Sequence, residues 1–479
     1  MSGSSGFVPK FKSVHVLGIG GTLMAPVSIF LKERSVNVTG TDGPIYPPMS
    51  TLLKNADIHP FLNYSASHLD KLSNSPDFVI VGNVVRADNP EVKEAKKRGW
   101  KLISLPEFME ENLLLHTKNI VVSGTHGKTT SSSMMAFVLR EMRVDASYFI
   151  GGVSSVLPKS FHVSENFRGG YFVLEGDEYD TAFWDKVPKF YHYLPDQVIL
   201  TSIEFDHADI YSNIGEIEDV FEVLVHKVPP TGRIVACSDY PIVGRLIKEA
   251  KCEVITYGEN STANFKVDHY IETEDGAHCR VACPDGSLLE MNLAVSGMHN
   301  TLNALSVLIL ALKLGFDQEQ VLLALSRFTG VKRRLETRGV INDITVIEDF
   351  AHHPTAVKMT LESLKKKYRG RRLHAVFEPR SATSRRGIFQ SEYSHALVVA
   401  DRVLVAEPFD QTLIPEDQRF STSQLVVDLK KHGCDASSFE SVEGGVSELV
   451  NSASNGDVIV VMSNGGFGGF IEKLIDSLR

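Results

Sequence analysis

Short apolar runs alternate with longer amphipathic stretches along almost the whole chain. Val14-His15-Val16-Leu17, Asn119-Ile120-Val121-Val122, Tyr171-Phe172-Val173-Leu174, Val198-Ile199-Leu200, Ile344-Thr345-Val346-Ile347, Leu373-His374-Ala375-Val376-Phe377 and Val458-Ile459-Val460-Val461-Met462 read as strands. Near-continuous apolar character, without strict polar alternation, predicts strands covered on both faces, as in parallel sheets joined by helices. The expected fold class is therefore α/β: three domains with mainly parallel sheets, Rossmann-like at the N and C termini around a central P-loop ATPase-type domain.

Two glycine-rich turns follow these strands. The first, Gly18-Ile19-Gly20-Gly21-Thr22, leads into a helical pattern and then to Val36-Asn37-Val38-Thr39-Gly40-Thr41-Asp42. An acidic residue at the end of the second strand suits a nucleotide-binding unit. The third glycine of the dinucleotide fingerprint would fall at Leu23, so the match is partial. The second turn, Gly124-Thr125-His126-Gly127-Lys128-Thr129-Thr130, stands between a strand and a helical pattern running from Ser131 to Met142. Backbone N–H groups and a helix dipole aimed at one point suit a polyphosphate, Lys128 adds charge for its terminal phosphates, and Thr129 offers a hydroxyl to magnesium. The spacing departs from the Walker pattern, whose first glycine would fall at Val122. On this reading Lys128 serves phosphate charge and not packing.

Breaks near Thr117 to Asn119 and near Thr329-Gly330-Val331 divide the 479 residues into segments 1–118, 119–329 and 330–479, each of domain size. A net charge of −10 and a pI near 6.0 argue against a nucleic-acid partner. The five cysteines are scattered, with no second pair or histidine at zinc spacing beside Cys279 and Cys283, so a reducing compartment is expected. Val14 to Leu31 is apolar but interrupted by Gly18, Gly20, Gly21 and Pro26, and reads as strand, turn and helix instead of a membrane span. A cytoplasmic location without membrane association follows as an expectation. Met1 to Gly6 has the look of an expression scar, and the sequence does not fix an oligomeric state.

Polar clusters follow several strands, where open parallel sheets place their ligands. Glu175-Gly176-Asp177-Glu178-Tyr179-Asp180 and Glu204-Phe205-Asp206-His207-Ala208-Asp209 offer oxygen donors for magnesium, against the competing view that they are solvated loops. Gly297-Met298-His299-Asn300 opens a helix suited to an adenine edge. Arg333 and Arg334 could meet phosphate or simply face solvent. In the third segment, the loops after Ile347, Phe377 and Met462 should gather at one sheet edge. Ser463-Asn464-Gly465-Gly466 could seat a carboxylate on its amides or serve as a tight packing turn.

With these residues collected, the chain resembles the Mur ligases, ATP-dependent enzymes that join amino acids or peptides to UDP-N-acetylmuramic acid. The likeness runs from Val14 to the C terminus. Its more particular pieces are Tyr46-Pro47-Pro48-Met49-Ser50-Thr51, Gly82-Asn83 with Asn89-Pro90, Glu178-Tyr179-Asp180, Phe205-Asp206-His207-Ala208-Asp209, Arg333-Arg334-Leu335-Glu336 and Met462 to Gly469, and at Tyr46-Pro47-Pro48-Met49 and Ser463 to Gly469 the branch that adds alanine is expected to differ, which favours the branch that adds a tripeptide. The resemblance implies ligation of L-alanyl-γ-D-glutamyl-meso-diaminopimelate to UDP-N-acetylmuramate through an acyl phosphate, with ATP and magnesium. It assigns the sugar nucleotide to Gly18, Gly20, Gly21, Thr22, Asp42, Tyr46 and Asn83. ATP falls to Gly124 through Thr130 with Asn300, Arg334 and Asp349. Magnesium is assigned to Thr129, Glu175 and His207, the peptide to Arg380, Ser463, Asn464 and Gly465, and catalysis to Lys128, Glu175 and His207. One departure stands out: Glu222 occupies the place where several family members carry a carbamylated lysine. The alternatives are the same chemistry with L-alanine, or ATP hydrolysis that joins nothing.

Overall fold

The computed structural model of the protein describes residues 6–152 and 154–479, so all but Gly6 of the N-terminal Ser/Gly tract lies outside the described residues. The chain divides into two compact units. The first comprises Met1–Glu204, Ile214–Asn264 and Ser306–Ala324, and the second Phe205–Asn213, Phe265–Leu305 and Leu325–Arg479.

In the first unit, a parallel sheet is ordered Phe61–Leu62, Asn37–Asp42, Ser13–Leu17, Phe78–Val81, Leu102–Ser104. The order reverses beside Ser13–Leu17, which puts the Gly18 turn at the crevice where such sheets take ligands. Leu17, Val79 and Val81 bury their side chains against Val92 and Ala95 of the helix Pro90–Lys97. That helix starts at Pro90 because Asn89 caps it, its side chain accepting from the Glu91 and Val92 amides.

A second sheet in the same unit runs through Glu253–Gly258, Arg233–Cys237, Gln197–Leu200, Lys118–Ser123, Tyr171–Gly176 and Ser147–Phe149, all parallel, with Phe161–His162 antiparallel beyond. Lys118, expected in a linker, already belongs to the strand that was expected to open at Asn119. The helix after the glycine turn is Lys128–Glu141, three residues longer at its start than the apolar pattern indicated. Gly127 at φ 79° ends the turn in the left-handed region, so the helix begins on the polar Lys128-Thr129-Thr130, where apolar periodicity carries no signal.

In the second unit, Phe265–Thr273, Gly276–Ala282 and Leu288–Leu293 form an antiparallel meander. A six-stranded sheet is ordered Glu336–Ile341, Ile344–Asp349, Val458–Met462, Leu373–Phe377, Arg402–Ala406, Asp435–Phe439, antiparallel only at its first pair. Its continuous apolar runs are explained by two cores, one on each face. Val458, Val460 and Met462 pack with Leu361 and Leu364, Tyr393 and Leu397, and Leu425 and Leu429. Ile459 and Val461 pack with Val446 and Leu449, and with Phe470, Ile471 and Leu474. At roughly 1.5–3 kcal/mol for each large side chain fully buried, both faces of every central strand stabilise the sheet. The register aligns Asp349 and Phe377 with Met462, so the loops after these three residues share the carboxyl edge.

Candidate functional site

The strand Lys118–Ser123 delivers Gly124 directly against the neighbouring strand's outgoing segment. A Cβ at Gly124 would lie 2.3 Å from Thr201 Oγ1 and 2.6 Å from Ser202 O, and φ is +133°, so only glycine fits. The turn is stitched to that segment throughout. Thr125 N–H donates to Ser202 O (2.9 Å), His126 N–H to Ser202 Oγ (2.9 Å), and Thr201 Oγ1 to His126 O (2.5 Å). Glu204 N–H donates to Thr125 Oγ1 (2.8 Å), and the His126 ring meets the Glu204 carboxylate at 2.8 Å. A rigid loop thus presents the first turn of the Lys128–Glu141 helix, whose N–H groups have no intrahelical acceptors. That is a ready-made anion cradle.

Lys128 is held inside this cradle. Its Nζ donates to Gly124 O (2.7 Å), Thr125 O (3.2 Å) and Glu178 Oε1 (2.9 Å), and it also lies 2.8 Å from Glu178 Oε2. Burial alone would lower the Lys128 pKa, but the negative charges of Glu178, Asp177 and Glu175 outweigh it and leave the pKa raised. Glu178 is nearly inaccessible, its side chain 3% exposed. Beside the phosphate charge read from sequence, Lys128 thus compensates a buried carboxylate.

Thr129 Oγ1 donates to Glu175 Oε1 at 2.7 Å, and Gly151 N–H donates to Glu175 Oε2 at 2.6 Å. Burial lifts the Glu175 pKa, and the Thr129 hydroxyl, the Gly151 amide and the Lys128 charge do not overcome it. A hydroxyl and a carboxylate converging beside a polyphosphate cradle are hard oxygen donors of the kind magnesium takes. Glu222 is separate from this arrangement in role, standing 4.0 Å from His226 one turn along the helix Ile214–Lys227.

At the first glycine turn, Gly18 adopts φ +82° and its N–H donates to Thr41 O (2.9 Å). The Asp42 carboxylate is engaged within the turn. Oδ2 accepts from Gly20 N–H (2.8 Å), and Oδ1 from Gly43 N–H (2.7 Å) and Tyr64 Oη (3.3 Å). Its observed work is to fix the turn. Thr22, Tyr46 and Asn83 are exposed near the ends of these elements, and Tyr46 is 72% exposed.

The remaining residues singled out from sequence belong to the second unit. His207 has φ +56°, and its amide donates to Asp206 Oδ1 (2.7 Å). Asp206 is buried, takes the Thr383 hydroxyl at 2.6 Å, and faces the His352 ring at 3.5 Å. Burial would raise its pKa, but His352, His207 and His353 together hold it well below the usual carboxylate value. Asn300 opens the helix Met298–Lys313 and donates to Ser296 O (2.7 Å). Asp349 accepts from the amides of Leu335 (2.6 Å) and Ala351 (2.8 Å), shaping the turn that carries Arg334. Burial raises the Asp349 pKa against the Arg334 charge and those amides. Arg334 lies over the Phe350 ring at 4.9 Å.

Arg380, Ser463 and Gly465 meet around Glu378. Ser463 Oγ donates to Glu378 Oε2 (2.5 Å), Arg380 Nη1 donates to Glu378 Oε1 (3.2 Å), and Gly465 N–H donates to Ser463 Oγ (2.9 Å). Arg380 also stacks on Phe409 at 3.8 Å. Asn464 Oδ1 is buried with no hydrogen-bond partner among the described residues. The Gly465 amide and carbonyl are both occupied, the latter by Arg333 (2.6 Å), which favours the packing-turn reading of this loop. Glu378, Thr383, Phe409 and Glu178 are the members that sequence reasoning did not single out individually. Glu178 was signalled by its acidic cluster and its resemblance motif and Glu378 by its place just after an apolar run, whereas Thr383 and Phe409 carried no signal.

Three family profiles match the chain: "Mur ligase family, catalytic domain" at residues 13–117, "Mur ligase middle domain" at 122–311, and "Mur ligase, glutamate ligase domain" at 333–465. The chain is 36% identical over 467 residues to the UDP-N-acetylmuramate–L-alanyl-γ-D-glutamyl-meso-2,6-diaminoheptandioate ligase of Escherichia coli, covering 97% of this chain and 98% of that protein. It is similar to the crystal structure of a murein peptide ligase from Psychrobacter arcticus, with TM-score 0.71, 33% identity and 98% of each chain covered. It also resembles a UDP-N-acetylmuramate-alanine ligase from Thermotoga maritima, with TM-score 0.78, 25% identity, and 97% and 98% of the two chains covered.

Proposed function

This chain belongs to the Mur ligase family of ATP-dependent amide-forming ligases, and we propose that it joins L-alanyl-γ-D-glutamyl-meso-diaminopimelate to UDP-N-acetylmuramate in peptidoglycan recycling, in the cytoplasm. The observation that carries this reading is the E. coli tripeptide ligase's likeness over essentially the full length of both proteins.

The chemistry fits the residues. A carboxylate is a poor electrophile, so an oxygen of the sugar's lactyl carboxylate first takes the γ-phosphoryl group of ATP, and ADP leaves. The peptide's terminal amine then attacks the acyl carbon, the carbon–oxygen bond to phosphate breaks, and the amine proton is lost. No protein nucleophile is needed, and positioning with charge neutralisation suffices. The amides at the start of the Lys128–Glu141 helix cradle phosphate oxygens, and Lys128 neutralises them. Thr129 and Glu175 would hold magnesium, whose charge would offset that of the phosphoryl oxygens. Thr22, Tyr46 and Asn83 contact the sugar nucleotide around a turn shaped by Asp42. Arg380, with Ser463 and Asn464, faces the peptide.

The Thermotoga maritima alanine ligase supports a second reading, ligation of L-alanine alone. Incubating the enzyme with ATP, magnesium and UDP-N-acetylmuramate plus either tripeptide or L-alanine, and weighing the products by mass spectrometry, separates the two. The tripeptide adduct is expected, and an alanine adduct alone overturns the proposal. ADP release indifferent to both sugar and amine would point to the non-ligase alternative.

A further inference from the structure

The helix Pro354–Lys367 ends in a run dense in cations, Lys365-Lys366-Lys367-Tyr368-Arg369-Gly370-Arg371-Arg372. Half of these charges are consumed by the fold. Lys365 pairs with Asp401 (2.6 Å), Arg371 donates to the carbonyls of Asp343 (2.8 Å) and Asp457 (3.2 Å), and Arg372 reaches Asp435 (3.4 Å). Lys366, Lys367 and Arg369 have no ion pair among the described residues, and with Tyr270, Glu272 and Glu274 they line one cavity of about 410 Å³. It lies between the end of that helix and the meander strand Phe265–Thr273, within the second unit.

The carboxylate nearest to hand is already committed. Glu272 Oε1 accepts from Ser363 Oγ (2.5 Å) and Oε2 from Tyr270 Oη (2.7 Å). Lys366 Nζ stands 5.7 Å from the centre of the Tyr270 ring. Lys367 is half-buried and its Nζ donates to Ser296 Oγ (3.1 Å). Burial lowers the Lys367 pKa, and the negative charges of Glu272, Asp275 and Glu274 do not overcome it. The negative end of a helix dipole attracts cations, which accounts for lysines in this last turn. It does not account for an ammonium half-buried at a cavity wall with a neutral hydroxyl as acceptor, because a charge taken from water is costly unless paired. An anion in the cavity would supply the pair.

We propose that this cavity receives a phosphate-bearing small molecule, held by Lys366, Lys367 and Arg369, and that the turn at Ser296 senses its occupancy. A phosphomonoester carries a charge of about −1.5 to −2 and three acceptor oxygens pointing apart, so it can meet three separate cations at once. The volume is that of an ordinary small-molecule site.

The link to the turn runs through Lys367. An anion beside it favours the ammonium form, which strengthens its bond to Ser296. Ser296 O accepts from Asn300 Nδ2 (2.7 Å), and Gly297 O accepts from the amides of Asn300 and Thr301 (3.0 Å each), so this turn sets the start of the helix Met298–Lys313. Asn300 is a proposed ATP contact. The sensing step therefore rests on the proposed nucleotide reading, whereas the binding step does not.

Equilibrium dialysis with inorganic phosphate, ribose 5-phosphate and AMP tests the site, with a non-hydrolysable ATP analogue and UDP-N-acetylmuramate held saturating so that their own sites are filled. Wild type should bind at least one probe saturably, and less tightly as ionic strength rises. Lys367→Met should weaken that binding roughly 10-fold or more. Lys366→Gln and Arg369→Gln, at exposed positions that leave the core intact, should each weaken it too. Tighter binding of AMP or ribose 5-phosphate than of inorganic phosphate assigns the occupant as an organic phosphate, and the reverse order as free phosphate. In ligation assays the bound probe should lower KM for ATP roughly fivefold in wild type and leave it unmoved in Lys367→Met. Without probe, kcat of Lys367→Met should match that of wild type.

Absence of saturable binding, or binding that survives all three substitutions together, overturns the site. A KM for ATP that the probe changes equally in wild type and Lys367→Met overturns the sensing step. Failure of the wild type to consume ATP at all would remove the nucleotide reading beneath that step and leave the dialysis result standing.

Discussion

Replacing Lys128 with alanine should unfold the first unit more readily at neutral pH than in mild acid. The wild-type lysine lies 2.8 Å from a carboxylate whose side chain is 3% exposed. Without that cation, Glu178 either remains charged in a low-dielectric site or takes up a proton. Protonation sets the ceiling on the cost: a carboxyl with an ordinary pKa of about 4.3, held neutral at about pH 7.5, costs roughly 4 kcal/mol at 1.36 kcal/mol per unit. At about pH 5 the same ceiling is roughly 1 kcal/mol.

The sign follows from linkage. Burial disfavours the charged form of a Glu178 left without its cation, so the folded variant should take up a proton more readily than the unfolded chain and be penalised progressively as pH rises. Both tryptophans, Trp100 and Trp184, fall in the first unit, so urea denaturation followed by their fluorescence reports on it. Combining Lys128→Met with Glu178→Gln should restore stability at about pH 7.5 to within about 1 kcal/mol, since replacing both members of a buried pair is often near neutral. Ligation should be absent in the single and the double variant alike. A destabilisation of Lys128→Ala that is the same at both pH values, or no rescue by Glu178→Gln, refutes the reasoning.

In Gly465→Ala, the new Cβ would lie 2.0 Å from Arg380 Nε, a side chain that can swing away. The protein should stay folded while Arg380 leaves Glu378 and Phe409, and steady-state kinetics should show a raised KM for the peptide alone. Thr383→Val removes the donor to buried Asp206 and the acceptor of the Ala208 amide (3.1 Å), at a cost of about 1–3 kcal/mol. Asp206 has a depressed pKa, so its stabilisation is present above the ordinary aspartate value and lost as pH falls through the folded one. Weakening its partners should move the acid-unfolding midpoint of Thr383→Val to higher pH, as read by circular dichroism. Chelating magnesium with EDTA should abolish ADP release and returning it should restore the rate, whereas Glu175→Gln should demand far more magnesium for half-maximal activity.

What could be read from sequence was what depends on neighbours along the chain. Gly124, Gly127, Lys128 and Thr129 follow one another between a strand and a helix, and the helix's polar start at Lys128 was missed only because apolar periodicity is silent there. Pairings across distance were hidden. Glu178 stands 50 residues from Lys128 in a cluster with Glu175, Asp177 and Asp180, and nothing in that run distinguishes the carboxylate that faces the lysine from the one that faces Thr129. Position was also easier to infer than direction. Asp42 sits where a ligand-reading acid is expected, yet its oxygens point back to Gly20, Gly43 and Tyr64.

The loop after Met462 makes the same distinction at the peptide end. Its glycines suggested either amides free to seat a carboxylate or a packing turn. The Gly465 amide is taken by Ser463, and the space a side chain would need is taken by Arg380. A backbone committed to its own fold at Gly465 cannot use that amide to read a substrate anion.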